Sequence, residues 1–258
     1  MLRCLSGCVL LLLPLYQLLA QGCTAKGDRA STGDLPTQTA FWQQQLKFSR
    51  VRVALAGTGP VLAERLSARG LDPQRLELMF RLIKTNQELE VWARNQGAGA
   101  FLLLDRYPLA ATSGRLGPKR RAGDRQVPEG FYEIDRFNPH SEYLLSLGLN
   151  YPNAADRSLG EPNPGGDIFI HGGAVTVGCL PITDAGIEEV YLLAVAARAA
   201  GQAVIPVHIF PFPLTEAELA RRSASPHQSF WRGLMPGYAY FEHHHQPAGL
   251  APLAVAGK

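Results

Sequence analysis

His171 and Cys179 are the two side chains whose types and spacing best suit covalent chemistry in this sequence. A short apolar run, Ile168-Phe169-Ile170, ends at His171. Seven residues, Gly172 to Gly178, then lead to Cys179. That arrangement places an imidazole and a thiol on two sides of a tight loop. A thiol becomes a useful nucleophile when a nearby base or cation favours its thiolate. His171 is the expected base. The backbone N–H groups of Gly178 and Cys179 are the expected oxyanion donors, because glycine allows close backbone approach. No Asp or Asn lies inside the loop, so a backbone carbonyl, that of Gly172, is the candidate to orient the imidazole. Two ordinary readings compete: a histidine at a strand end is often structural, and free cysteine is among the most buried residue types.

The N-terminus reads as a processing segment. Arg3 precedes an apolar stretch, Leu5 to Leu19, broken by Pro14 and followed by Ala20-Gln21-Gly22. It is too short and broken for a membrane span and matches an export signal. Cleavage by an ordinary signal peptidase near Gly22 is one outcome. The other is lipidation of Cys23, although the position where a lipoprotein signal favours Leu is here Ala20. A lipid on Cys23 would anchor the chain to a membrane surface. Export removes Cys4 and Cys8, and lipidation would occupy Cys23, leaving Cys179 without a partner in its own chain. An unpaired thiol in an exported protein signals reactivity or intermolecular pairing. The expected location is the periplasm or cell envelope.

The remaining chain of about 235 residues suffices for one large domain with extensions. The net charge of +3 mildly favours anionic partners such as cell-wall polymers or lipid head groups. No basic run is interleaved with aromatics, which argues against nucleic acid.

The elements that must position the pair follow from periodicity. Ser, Thr, Asp, Lys and Gly dominate the stretch after Cys23, which reads as a tether. Two short helical segments are expected next, with Gly57-Thr58-Gly59 as a break and Pro60 opening the second. From Leu76 the period changes to that of half-buried strands: Leu76 to Ile83, Glu88 to Arg94, Phe101 to Leu104 and Tyr107 to Ala111, an antiparallel meander. Gly114 to Gly130 is a long loop, and such loops are usually functional. Phe131 to Ile134 and Tyr143 to Leu149 are further strands, and Tyr151 to Gly166 is a second long loop. After Cys179, Thr183 or Asp184 can cap a helix that Gly201 stops, and Val204 to Phe210 is an apolar strand carrying His208. Thr215 with Glu218 and Ser225 with Gln228 are capping-box patterns. The expected organisation is a signal peptide at 1–22, a tether at 23–49, a helical segment at 50–75, a catalytic domain at 76–214, and a helical extension and tail at 215–258. The fold class is α+β and β-rich.

Several ordered segments carry a family resemblance: GRLGPKRRAGDRQVPEGFYEI, LNYPNAADRS, IHGGAVTVGCLPITDAGIEEVY and FWRGLMPGYAYFE. Together they resemble the YkuD-type L,D-transpeptidases, in their YafK-like branch, from Leu76 to Glu242. The resemblance implies a sandwich or barrel core with flanking helices, acting on peptidoglycan stem peptides. The cysteine would attack the carbonyl of the L-centre of diaminopimelate at stem position three. An amine acceptor then gives a cross-link or attaches a lipoprotein lysine, and water gives hydrolysis. The branch is associated with detaching a protein lysine from diaminopimelate.

The sequence departs from the wider family twice. The second histidine of the signature is absent from Thr176-Val177-Gly178-Cys179, and Pro181 stands where an arginine would help hold the donor peptide. Another cation, such as Lys119, Arg121 or Arg157, is then expected to recognise the substrate carboxylate, with Tyr151 and Gly173 completing the substrate contacts. His243-His244-His245 has no acid or cysteine cluster to complete a metal site, so no metal and no cofactor is expected. His140 and His208 read as structural or surface residues. Three functions follow: a hydrolase of wall-linked amides, a transpeptidase that forms 3-3 cross-links or attaches a lipoprotein, and a catalytically silent wall-binding lipoprotein.

Overall fold

The structure, a computed structural model, describes residues 39–248. The export signal, Cys23, the first part of the tether and the end of the tail lie outside the described residues. Helices α1 (Ala40–Gln45) and α2 (Ser49–Ala68) open the fold. Strands β1 (Leu76–Ile83), β2 (Glu88–Asn95) and β3 (Leu102–Pro108) follow. Then come β4 (Gly130–Asn138), β5 (Ser146–Leu149), α3 (Ala154–Leu159), β6 (Phe169–His171) and β7 (Leu180–Pro181). Helix α4 (Asp184–Ala199), β8 (Pro206–Phe210), α5 (Glu216–Ala220) and α6 (Gln228–His244) complete it. The strands make one curled, mixed sheet of order β3-β2-β1-β8-β4-β5-β6-β7, half of a barrel.

β1 to β3 form the expected antiparallel meander, but with three strands rather than four: the segments at 101–104 and 107–111, expected to be separate, are joined in the single strand β3. β8 then returns parallel to β1 and antiparallel to β4, so the last strand sits mid-sheet. β1 is not half-buried as its alternation implied; both faces are covered. Leu76, Leu78, Phe80 and Leu82 join the main core with α2 and α4. On the other face Met79 meets Trp92 and Phe241, and Ile83 meets Phe210, Trp231 and Tyr238. Arg81 survives there because it is paired. Its Nε lies 2.6 Å from Glu90, its Nη1 pairs with Glu242, and Trp92 and Phe241 flank the guanidinium. That cluster ties α6 to the sheet.

α4 is the central helix. Thr183 caps it by accepting from the Gly186 amide, and eleven of its residues are buried.

Three local expectations are corrected. The tether does not run to 49: Trp42 of α1 is 1% exposed, so burial recruits this segment into the fold. α2 is continuous through Gly57-Thr58-Gly59-Pro60. Val51, Ala54, Leu62 and Leu66 on one stripe are buried in the main core, and packing outweighs the local breakers. The loop at 151–166 contains α3, because Asn153 and Asp156 form a reciprocal capping box.

Candidate active site

Sheet register brings the imidazole and thiol to one surface. β6 and β7 run parallel, with Ile170 opposite Leu180 and His171 opposite Pro181. One step back along this register sets Cys179 opposite Phe169. Phe169 and His171 are two apart and share a face, on which Cys179 also emerges. Ile170, Leu147 and Leu180 take the opposite face, in the main core. His171 is 3% exposed and Cys179 is half-buried. Cys179 is the only free cysteine among the described residues.

The imidazole is held on two sides. Its Nδ1 lies 2.6 Å from the Gly172 carbonyl oxygen, the group that the sequence suggested as orienter. An N–H at Nδ1 leaves Nε2 as the acceptor. The Tyr143 ring lies against it, with centroids 4.5 Å apart at 31°. The Gly172 amide donates to the Tyr143 carbonyl at 3.1 Å. A Cβ on Gly172 would lie 2.5 Å from Asp184 Oδ1 and 2.8 Å from the Tyr143 oxygen. Only glycine fits. The Gly173 amide donates to Asp184 Oδ1 at 2.8 Å, which pins the loop to the start of α4. Asp184, considered in the sequence only as a helix cap, therefore also braces the site.

The thiol loop has its own brace. Thr176 Oγ1 donates to the Cys179 carbonyl at 2.8 Å and accepts the Gly178 amide at 3.1 Å. The Gly178 N–H, expected to face an oxyanion, is thus engaged within the loop. Gly178 has φ +132, and a Cβ there would sit 3.0 Å from the Gln126 carbonyl, where the 114–130 loop passes. Cys179 Sγ donates to the Asp167 carbonyl at 3.5 Å.

Both groups are biased toward neutrality. Burial pushes the His171 pKa below its ordinary 6.5, and the Gly172 carbonyl partly opposes this. Burial pushes the Cys179 thiol above 9.0; the Phe169 backbone amide and Lys119 pull it down, and Asp167 pushes it up. A neutral thiol on the same face as a neutral imidazole can react once substrate arrives and the imidazole accepts the proton.

The 114–130 loop is anchored by a buried ion pair. Lys84 Nζ lies 2.8 Å from Glu129 Oε1 and also donates to the carbonyls of Arg115, Gly117 and Val127. Glu129 further accepts from the Gly117 amide and from Trp231 Nε1 at 2.9 Å. Trp231, in the FWRG segment, thereby positions a loop a hundred residues upstream.

The expected substrate-binding residues are dispersed. Lys119 is 4% exposed, with Nζ 2.6 Å from Asp124 and also donating to the Arg121 carbonyl. Arg121 is exposed on the same loop. Arg157 is exposed on α3 and donates to the Pro152 carbonyl. Tyr151 is buried, its hydroxyl donating to the Pro164 carbonyl at 3.0 Å. Gly173 alone adjoins the imidazole. Lys119 nonetheless lies near enough to the thiol to pull its pKa down, although Asp124 holds its ammonium. A second cation, Arg136 of β4, lies over the Phe169 ring at 4.8 Å. Neither Arg136 nor Tyr143 carried a signal in the sequence: the first depends on a β-bulge and the second on a turn.

Among the described residues, no three metal-ligating side chains gather into a site, and no helix is long and apolar enough to cross a membrane.

The family described as YkuD, the L,D-transpeptidase catalytic domain, matches residues 81–209. The Escherichia coli K12 protein named "Putative L,D-transpeptidase YafK" is 40% identical over 170 residues, which is 65% of this chain and 68% of the relative. Its counterpart in Escherichia coli O157:H7 matches equally. Among solved structures, the helical cell shape determining protein Pgp2 from Campylobacter jejuni is 24% identical, with a TM-score of 0.43. That match covers 53% of this chain and 48% of Pgp2, so the chain spans about half the length of that structure. Bd1075 of Bdellovibrio bacteriovorus is 20% identical with a TM-score of 0.38, over 64% of this chain and 62% of the other.

Proposed function

The chain belongs to the YkuD family of L,D-transpeptidase catalytic domains, in its YafK-like branch, and from that premise we propose that it is an exported, cysteine-dependent peptidoglycan hydrolase. It cleaves the amide between the L-centre carbonyl of diaminopimelate and a protein lysine. The observation that carries this reading is the Gly172 carbonyl 2.6 Å from His171 Nδ1, which leaves Nε2 as a base on the face that carries Cys179.

Nε2 takes the thiol proton as Sγ bonds to the substrate carbonyl carbon. The Cys179 amide is the donor we assign to the oxyanion, since Thr176 holds that of Gly178. Collapse breaks the carbon–nitrogen bond, and the imidazolium returns its proton to the departing lysine amine. Water then loses a proton to Nε2, attacks the thioester and releases the tripeptide carboxylate, regenerating the thiol. Pro181, in the place of a donor-holding arginine, supports water over an amine as acceptor. The apolar, broken segment at 5–19 supports export to the periplasm or cell envelope, and Cys23 is the position we assign to an alternative lipid anchor.

Purified protein incubated with a lysine-linked stem tripeptide is expected to release the free tripeptide and the amine, read by mass spectrometry. Two stem peptides together are expected to give little dimer. Efficient 3-3 dimer formation without hydrolysis would show that the acceptor is an amine.

A further inference from the structure

Arg136 and Asp167 form an ion pair on the same sheet face as Cys179. A bulge in β4 creates it. Ile134 pairs with Leu149, yet Arg136 pairs with Gly148, so Asp135 is an extra residue. Without that insertion Arg136 would share the face of Ile134, which is in the main core. The extra residue turns Arg136 outward, and bulges commonly re-aim a side chain beside an active site.

Register then sets one row across four strands. Arg136 pairs with Gly148, Gly148 pairs with Phe169, and Cys179 continues the row. Gly148 leaves the row open: a Cβ there would lie 2.7 Å from Arg136 Nε. The arginine crosses this gap and stacks on Phe169 at 4.8 Å, one strand from the thiol. Its Nε lies 3.0 Å from Asp135, its Nη1 3.0 Å from Asp167 Oδ1, and its Nη2 donates to the Leu149 carbonyl at 3.4 Å. The partner carboxylate is open, with the Asp167 side chain 82% exposed. The carbonyl of the same residue meets Cys179 Sγ.

We infer that the Arg136–Asp167 pair is a binding subsite for a zwitterionic amino-acid head group, which opens the pair and takes both partners. A carboxylate meets the guanidinium and an ammonium meets Asp167, so neither charge is left unmatched. An exposed pair gives up little when it opens, because such bridges contribute only about 0–1 kcal/mol. A planar guanidinium braced on an aromatic ring suits a carboxylate bidentately. The inference rests on the proposed function for its substrate: the D-centre of diaminopimelate is such a head group, on the side chain of the residue whose carbonyl Cys179 attacks.

The test measures binding apart from turnover. A diaminopimelate-containing stem tripeptide is titrated into full-length Cys179→Ala protein by calorimetry, with and without Arg136→Gln or Asp167→Asn. Each second substitution is expected to weaken binding about tenfold, on the scale of one lost charge-assisted contact. Amidating the D-centre carboxylate should weaken binding to the Cys179→Ala protein similarly and remove its difference from the Arg136→Gln form. Acetylating the D-centre amine should do the same for Asp167→Asn. Equal affinity of all three proteins for the free tripeptide would overturn the subsite, and so would indifference of the Cys179→Ala protein to amidation, which needs no Arg136 variant to fold. Failure of the proposed function reads differently: wild-type protein would not cleave the lysine-linked tripeptide, whatever the binding comparison gives.

Discussion

His171 Nδ1 sits 2.6 Å from the carbonyl oxygen of the next residue, Gly172. A backbone oxygen thus does what a carboxylate does in other nucleophile–base pairs: it selects the tautomer. It adds no negative charge beside the ring, so nothing there holds an imidazolium strongly. Burial then keeps the base neutral, and the site starts its cycle without a preformed ion pair.

Removing either member of the pair should remove the chemistry. Cys179→Ala and His171→Ala are each expected to lower kcat by about a thousandfold or more, with little further loss in the double variant. His208 lies on the α6 side of the sheet, between Phe131 and Phe210, and His208→Gln should leave kcat near wild type. Turnover by folded protein, normalised to circular dichroism, decides this. Equal damage from both histidine substitutions would assign His171 a structural role.

The pKa directions fix the pH profile. His171 is depressed, so its base form persists below pH 6.5, and kcat/KM should fall only as pH drops through the lowered value. Cys179 is raised, so its thiolate is scarce at neutral pH. Alkylation by iodoacetamide should be slow at pH 7 and accelerate above pH 9. Rapid alkylation at pH 6 would indicate a thiolate–imidazolium pair instead.

Tyr143 should act on the imidazole through its ring. Its 4.5 Å stacking contact is retained in form by phenylalanine and lost in alanine. Tyr143→Ala is expected to lower kcat about tenfold, with KM changed less, as for a contact worth about 1.4 kcal/mol. Tyr143→Phe should restore most of the rate. A Phe variant as slow as the Ala variant would point to the hydroxyl.

The Lys84–Glu129 pair should matter for stability more than for contact with substrate. Both side chains are nearly inaccessible. Glu129→Gln strands the Lys84 ammonium and is expected to cost about 3–5 kcal/mol in urea unfolding. The double change to Met and Gln should recover part of that loss. An unchanged midpoint for the single variant would mean that Lys84 is neutral in the fold, in keeping with the downward direction of its pKa.

The thiol, the imidazole and its carbonyl partner were legible because they lie within nine consecutive residues, and local spacing carries them. Most strands were legible from alternation and turn residues. The hidden parts are non-local. Arg136 shares the sheet face of the thiol only because Asp135 is an extra residue in β4, and no hydrophobic pattern marks one inserted position. Lys119 looked like an available cation until Asp124, five residues on, proved to be its partner. α2 passed its glycines and Pro60 because burial against the main core, invisible in sequence, overrode local preference.

The mid-sheet position of β8 has a bearing on how the chain acquires its shape. β1 is made early, yet its neighbour Val207–Phe210 is translated more than a hundred residues later. The meander and the strands that carry the thiol share no direct ladder; within the sheet order they meet only through this late arrival, and outside it the Ala110 amide donates to the Pro181 carbonyl at 2.8 Å. Folding must therefore close long loops before the sheet is continuous, which predicts slow, cooperative acquisition of structure rather than sequential growth from the first strand. A chain interrupted before residue 206 would hold two unfinished half-sheets with open edges, the form in which such proteins aggregate.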